Sequence, residues 1–312
     1  MTKLISILTA CYNEEENVEK LYLQVKEQYD KFPQYNFEHV FIDNASKDRT
    51  FEILKEIASE DKRVKIIVNA RNFGHIRSPY YGILQCKGDA IISVVADLQD
   101  PPELICDFIQ KWEEGYKIVI GIKVKSRENK VMFLIRGFFY KLIEKISETE
   151  QIKNFTGFGL YDKQFIDVLR SIDDNYPYFR GAIADLGFNR VEIAYTQPRR
   201  DKGRTKNNFY SLYDMAMLGF VNHSKLPLRL ASFIGFSVSL LSLLIAFVYL
   251  LYKLVDWNDF QLGLAPLVIG IFFFGGIQLF FLGIIGEYIG AIFTQVKKRP
   301  LVIEKERINF DD

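Results

Sequence analysis

The chain has 312 residues, 25% of them charged, and its 40 Lys and Arg against 39 Asp and Glu leave a net charge of +1. This balance offers nucleic acid no bulk attraction and leaves no acidic or basic tail, and the length allows about two domains. Cys11, Cys86 and Cys106 form no CxxC pair and His39, His75 and His223 are scattered, which argues against a disulfide framework and a zinc site and fits a reducing compartment.

Met-Thr-Lys runs straight into a strand-like segment, so no signal peptide is expected and the soluble part is read as cytosolic. Leu4–Tyr12 reads as a buried strand. Asn13 then reads as a helix N-cap with Glu16 as its capping-box partner, and Val18, Leu21 and Val25 share one face of the helix that follows. Phe37–Asn44 is a strand, Arg49–Ser59 a helix with Ile53, Leu54 and Ile57 inward, and Val64–Val68 and Ala90–Asp97 are further strands. Pro101-Pro102 opens a helix that Gly115 ends, and Lys117–Lys123 returns as a strand. Strands alternating with helices predict a mostly parallel sheet with helices on both faces, and in such sheets ligands bind at the carboxyl ends of the strands.

An aromatic, basic helix is predicted near 130–147, with Arg136, Lys141 and Lys145 among Phe133, Leu134, Phe138 and Phe139. Two readings stand: a helix lying in a membrane interface, or a buried helix with a solvated basic edge. Leu230–Tyr252 and Phe260–Gly286 contain no charged residue, and each exceeds the ~20 apolar residues that span a bilayer core. Lys225 and Arg229 precede the first run, and Lys297, Lys298 and Arg299 follow the second, which places both ends of a hairpin in the cytoplasm. The predicted organisation is a domain over 1–225, two membrane helices within 226–296 (228–253 and 262–290), and a tail over 297–312. Glu287 is read as interfacial.

Four polar segments fall at or beyond predicted strand ends: Thr9–Glu15, Ile42–Asp48, Arg71–His75 and Ala96–Glu103. Singly, each reads as caps and turns, with Asp48 capping the next helix; four at one sheet edge point to a site. Their wording resembles the family 2 glycosyltransferases of GT-A fold, in the polyprenyl-phosphate branch that includes dolichol-phosphate mannose synthase and the bactoprenol glucosyltransferases. YNEEENV resembles the opening nucleotide loop, FIDNASKDRT the VDDGSTDGT segment, ARNFGH the RNFGK segment and ADLQDPPE the metal-site segment; GIIGEYIG in the second apolar run also fits the membrane-anchored branch.

The resemblance implies inverting transfer of a sugar from a nucleotide sugar, UDP preferred, to the phosphate of a polyprenyl lipid, with a Mg2+ or Mn2+ ion on the leaving diphosphate. Asp97 and Gln99 are the implied metal ligands, and Ala10, Tyr12, Asn13, Glu14, Asp43, Asn72 and Asp97 the implied nucleotide contacts. Arg200 and Lys206, in the basic run 199–206 whose GRTK looks like the GxSK segment, are expected on phosphates, and Lys123, Arg127 and Arg136 on the acceptor phosphate. The other reading of that run is a solvated loop or contact with anionic headgroups. A homo-oligomer is implied by the resemblance alone. Two departures stand out: Val95 replaces the first acid of the DxD motif, and Thr156–Leu160 lacks the acid that some relatives carry as a base. An anionic phosphate needs no base to attack. A polysaccharide synthase would carry QxxRW, whereas neither Trp112 nor Trp257 follows an Arg; a non-catalytic membrane scaffold is the alternative that Val95 favours.

Overall fold

The computed structural model describes residues 2–125, 152–175, 177–198, 226–255 and 264–310. Strands β1 (Leu4–Cys11), β2 (Asn36–Asp43), β3 (Val64–Asn69) and β4 (Ala90–Ser93) lie parallel in the order β4-β1-β2-β3. β1 and β2 are buried along almost their whole length, as parallel strands covered on both faces must be. Alternate residues point to opposite faces. Ile5 and Ile7 pack toward α1 (Val18–Tyr29) and α4 (Leu104–Glu113), while Leu8, Val40 and Ile42 pack toward α3 (Gly74–Gln85). Helix α2 (Thr50–Glu60) lays Leu54 and Ile57 against Phe41 and Ile66.

The sheet continues through β5 (Ile118–Lys125), β6 (Phe155–Asp162) and β7 (Arg190–Thr196), with α5 (Lys163–Ile172) and α6 (Phe179–Asp185) between the last two. Helices α7 (Leu226–Val255) and α8 (Leu264–Val296) follow, and β8 (Glu304–Ile308) closes the chain. The full order is β7-β5-β6-β4-β1-β2-β3-β8. β6 runs antiparallel to β4 and β5, and β8 antiparallel to β3; the other pairs are parallel. The sheet is therefore mixed and mostly parallel, as the sequence predicts.

Three local expectations are corrected. Asn13 is not a helix cap: α1 begins at Val18, Asn17 precedes it without a side-chain capping bond, and Asn13 sits in a left-handed turn at φ +55°. The expected Asn13–Glu16 capping box therefore gives way to a loop bonded across to the neighbouring segment. β4 ends at Ser93, because after Val94 donates to the Leu8 carbonyl the chain turns, with Leu98 at φ +59°. Gly74 and His75, read as the end of a polar segment, open the 12-residue helix α3, which forms despite Pro79 since it buries Ser78, Tyr80, Gly82 and Ile83. Tertiary burial outweighs the weak propensities of Gly and Pro there.

The segment after residue 297, predicted as a tail, returns to the sheet as β8, with Asn69 paired to Glu304 and Ile66 to Ile308. Among the described residues the two apolar runs are helical, α7 over Leu226–Val255 and α8 over Leu264–Val296. Among the described residues, Gly270–Val296 in α8 is long and apolar enough to cross a membrane and none of it is buried; the apolar stretch of α7 is shorter, Leu228–Ser242. Phe272 and Leu279 in α8 are 78% and 72% exposed. The helix predicted near 130–147 lies outside the described residues.

Candidate active site

The carboxyl ends of β1, β2, β3 and β4 lie side by side, so the loops that follow them share one edge. Cys11 and Asp43 are register partners, and the Asn44 N–H donates to the Cys11 carbonyl. The first two loops interlock. The Asn13 N–H donates to Ser46 Oγ (2.9 Å), and the Lys47 N–H donates to Asn13 Oδ1 (2.7 Å). The Glu14 N–H donates to Thr50 Oγ1 (2.8 Å), and the Arg49 N–H to Glu15 Oε2 (3.0 Å). Asp43, 1% exposed, accepts from the Ser46 N–H and hydroxyl, which fixes the turn in which Ala45 adopts φ +60°. Burial raises the Asp43 carboxyl above its usual range; the Ser46 bonds pull it down, and Asp48 and Glu52 push it up.

The third loop is tied in by amides. Asn44 Nδ2 donates to Asn72 Oδ1 (3.0 Å) and to the Gly74 carbonyl (3.2 Å). Asn44 Oδ1 accepts from Asn69 Nδ2 and from the Phe73 N–H, both at 2.9 Å. Asn72 Oδ1 also accepts from the Gly74 N–H at 2.8 Å, so the Asn72 amide oxygen is committed to the loop itself. Asn44 and Asn69 are organising residues to which sequence reasoning gave no role. Asn44 stands beside Asp43 in a segment already singled out, while nothing local marks Asn69.

The fourth loop carries Asp97 and Gln99, both half-buried, with the Gln99 N–H donating to Asp97 Oδ1 at 3.2 Å. Asp100 next to them is 1% exposed; its Oδ1 accepts from the Tyr195 hydroxyl (2.9 Å), and its Oδ2 is buried without a hydrogen-bond partner. Burial pushes the Asp100 carboxyl up to about 6, Tyr195 and Lys123 act against that, and the Asp97 charge adds to it. Lys123, at the end of β5, is the register partner of Tyr195 on β7 and carries its charge to the same edge. Tyr195 packs edge-on against Phe158 (5.5 Å, 78°), and Gly121 leaves room for both rings, since a Cβ there would meet them at 2.9 and 3.1 Å. Tyr195 had no sequence signal: it lies 95 positions from the carboxylate it holds.

A divalent cation fits this donor set. Among the described residues no three acidic, His or Cys side chains converge, and Val95 is an exposed aliphatic. One carboxylate and an amide oxygen, completed by phosphate oxygens and water, suit Mg2+ or Mn2+. Cys11 is 3% exposed, and burial holds its thiol well above the ordinary value, so it is no nucleophile. Arg127, Arg136, Arg200 and Lys206 lie outside the described residues; Ala10, Tyr12, Asn13, Glu14, Asp43, Asn72, Lys123, Asp97 and Gln99 all fall on the one edge.

Residues 6–185 match the family described as Glycosyl transferase family 2. The chain belongs to that family. It is 35% identical to the uncharacterized glycosyltransferase YkcC of Bacillus subtilis, covering 98% of this chain and 95% of the relative. It is 32% identical to the prophage-derived bactoprenol glucosyl transferase of Shigella flexneri, covering 97% of each. Among solved structures, mannosyl-3-phosphoglycerate synthase from Rubrobacter xylanophilus superposes with a TM-score of 0.49 at 14% identity, covering 69% of this chain and 71% of that one. Glucosyl-3-phosphoglycerate synthase from Mycobacterium tuberculosis, in complex with Mn2+, UDP and phosphoglyceric acid, gives 0.46 at 14% identity, covering 70% and 76%. The protein is thus a glycosyltransferase, and the edge of its sheet formed by Tyr12–Glu15, Asp43–Asp48, Arg71–Gly74 and Val95–Asp100 is its candidate active site.

Proposed function

We propose that this glycosyltransferase moves a hexose, with inversion, from a UDP-sugar to a polyprenyl phosphate at the cytoplasmic face of a membrane. The observation that carries the reading is the position of β8. Seven residues separate the end of α8 at Val296 from Glu304, where β8 starts opposite Asn69 at the carboxyl end of β3. The apolar helix therefore delivers the chain to the same sheet edge that bears the nucleotide and metal loops. An acceptor whose phosphate rests at the bilayer surface would meet the donor there. The near-full-length similarity to a protein named as a bactoprenol glucosyl transferase favours that acceptor.

In this reading α7 and α8 form a hairpin with both ends in the cytoplasm. The acceptor phosphate oxygen forms a bond to sugar C1 as the bond from C1 to the nucleoside diphosphate breaks in line on the opposite face. The phosphate is already anionic, so no proton need be removed, which agrees with a Thr156–Leu160 segment devoid of acid. Asp97 and Gln99 would hold a divalent cation that neutralises charge on the departing diphosphate. The interlocked loops at Asn13, Glu14 and Asp43 would hold the nucleoside rigidly. Lys123, with Arg127, Arg136, Arg200 and Lys206, would offset repulsion between two phosphate-bearing reactants.

The test is a screen of radiolabelled UDP- and GDP-sugars with the purified protein and undecaprenyl phosphate. Transfer from a UDP-hexose to a lipid-extractable product is expected. Asp97→Ala should abolish transfer while leaving the protein folded and in the membrane fraction. Unchanged turnover in that variant would refute the role given to Asp97, and labelling of a sugar hydroxyl acceptor instead would overturn the choice of acceptor.

A further inference from the structure

Three arginines from separate stretches of chain meet where α8 gives way to β8. Lys298, at φ +44°, terminates the helix, and Arg299 and Pro300 follow. Arg77, in the first turns of α3, donates from Nη2 to the Pro300 carbonyl at 3.2 Å. Arg71 comes directly after Ala70, whose N–H donates to the Ile303 carbonyl at 2.9 Å. These two bonds bracket residues 299–303 and hold Arg71, Arg77 and Arg299 in one patch. Arg71 is fixed over the Phe73 ring (4.2 Å) and donates to the Asn72 carbonyl (3.1 Å).

None of the three arginines pairs with a carboxylate among the described residues. The acids near this end of α8 bond elsewhere: Asp174 accepts from Gln295, and Glu304 from Arg307 and Tyr81. Arg77 Nε is buried without a partner. Burial, then the charges of Arg71 and Arg299, hold the Arg77 guanidinium below its ordinary value. Like charges gathered this way repel unless an anion joins them. The guanidinium fork suits phosphate oxygens, and the end of an apolar helix lies at the level of lipid headgroups.

We propose that Arg71, Arg77 and Arg299 form a binding site for the phosphate group of a membrane lipid. The proposal rests on the reading of α8 as a membrane helix, and not on the transfer reaction. The phosphate can be the diester of an anionic headgroup or the monoester of a polyprenyl acceptor, and both present the same oxygens to the arginines. The site would be coupled to the nucleotide edge by covalent continuity, since Asn72 and Phe73 are the residues that Asn44 holds.

The test titrates the full-length protein, in uncharged detergent, with farnesyl monophosphate, short-chain phosphatidylglycerol and short-chain phosphatidylcholine, reading binding by 31P NMR line broadening and thermophoresis. Binding of an anionic probe but not of phosphatidylcholine is expected. Arg299→Gln should weaken it about tenfold and leave UDP affinity unchanged. Arg299 carries no hydrogen bond of the clasp, so this variant keeps the fold; Arg77→Gln gives an independent second measurement. Binding of both anionic probes identifies a headgroup site, and binding of the monophosphate alone identifies an acceptor site; either supports the proposal. Absence of binding by the unsubstituted protein, or equal binding by both variants, overturns it. Loss of transfer with lipid binding intact would count against the reaction and not against this site.

Discussion

Replacing Tyr195 by Phe removes one hydroxyl and nothing else. The ring keeps its edge-on contact with Phe158 and its place beside Gly121, so no appreciable cavity opens. What is lost is the 2.9 Å bond to Asp100, a carboxylate 1% exposed whose other oxygen already lacks a partner. A hydrogen bond to a charged acceptor contributes about 2 kcal/mol, and here no water can replace it without entering the core. For a catalytic domain of this size that corresponds to a fall in Tm of roughly 4–8 °C. Trp112, buried and donating to Asp162, reports unfolding of the domain by its fluorescence in the full-length protein in detergent. Asp100→Ala removes the acceptor of the Tyr195 hydroxyl, so combined with Tyr195→Phe the double-mutant cycle isolates the pair. The expected coupling is also about 2 kcal/mol. Because Asp100 directly follows Gln99, loosening it should also raise KM for the metal–nucleotide more than it lowers kcat. A Tm within about 1 °C of the parent, with coupling near zero, would show that the bond does not form in solution.

Other expectations follow from the same geometry. His39 is fully buried, accepts or donates one bond to Thr9 at 3.0 Å, stacks on Phe41, and burial lowers it to about 3. The folded state thus keeps it neutral where the unfolded chain protonates near 6.5; its stabilisation is complete above that pH and is lost as pH falls toward about 3. Between pH 6.5 and 4.5 this amounts to about 2 kcal/mol, and a urea-unfolding series in which His39→Gln shows the same slope as the parent would contradict it. Gly159→Ala drives a Cβ into the Val119 carbonyl oxygen across the β5–β6 pair. It should cost more than about 2 kcal/mol or prevent folding, measured as Tm or yield of folded protein, and a parent-like Tm would show that the strands can part. Arg307→Ala removes the bond to Gln85 that fastens β8 to α3, together with a bond to Glu304 inside β8, and should make residues 304–308 exchange amide hydrogens faster while the α8 amides stay protected. Unchanged exchange would mean that the β3–β8 backbone pairing alone secures the strand.

The sequence by itself determined the parallel core of the sheet, the four polar loops and the two long apolar helices. These are local properties: continuous apolar runs for strands buried on both faces, and uncharged stretches too long for a water-soluble core. The candidate site was legible to the same extent, because Tyr12–Glu15, Asp43–Asp48 and Asp97–Gln99 each follow a strand end. Only the tertiary structure decided what those loops do to one another. Asn13 looked like a cap by its spacing from Glu16, yet it bonds to Ser46 and Lys47, since the neighbouring loop supplies an acceptor for its N–H and a donor for its side-chain oxygen. The Asn44–Asn69 bond and the Asp100–Tyr195 bond join residues that sequence distance hides. The return of residues 304–308 to pair with β3 was invisible for a like reason. Glu-Lys-Glu-Arg-Ile is too polar to announce a strand, and it becomes one because an edge with unpaired backbone groups was waiting beside it.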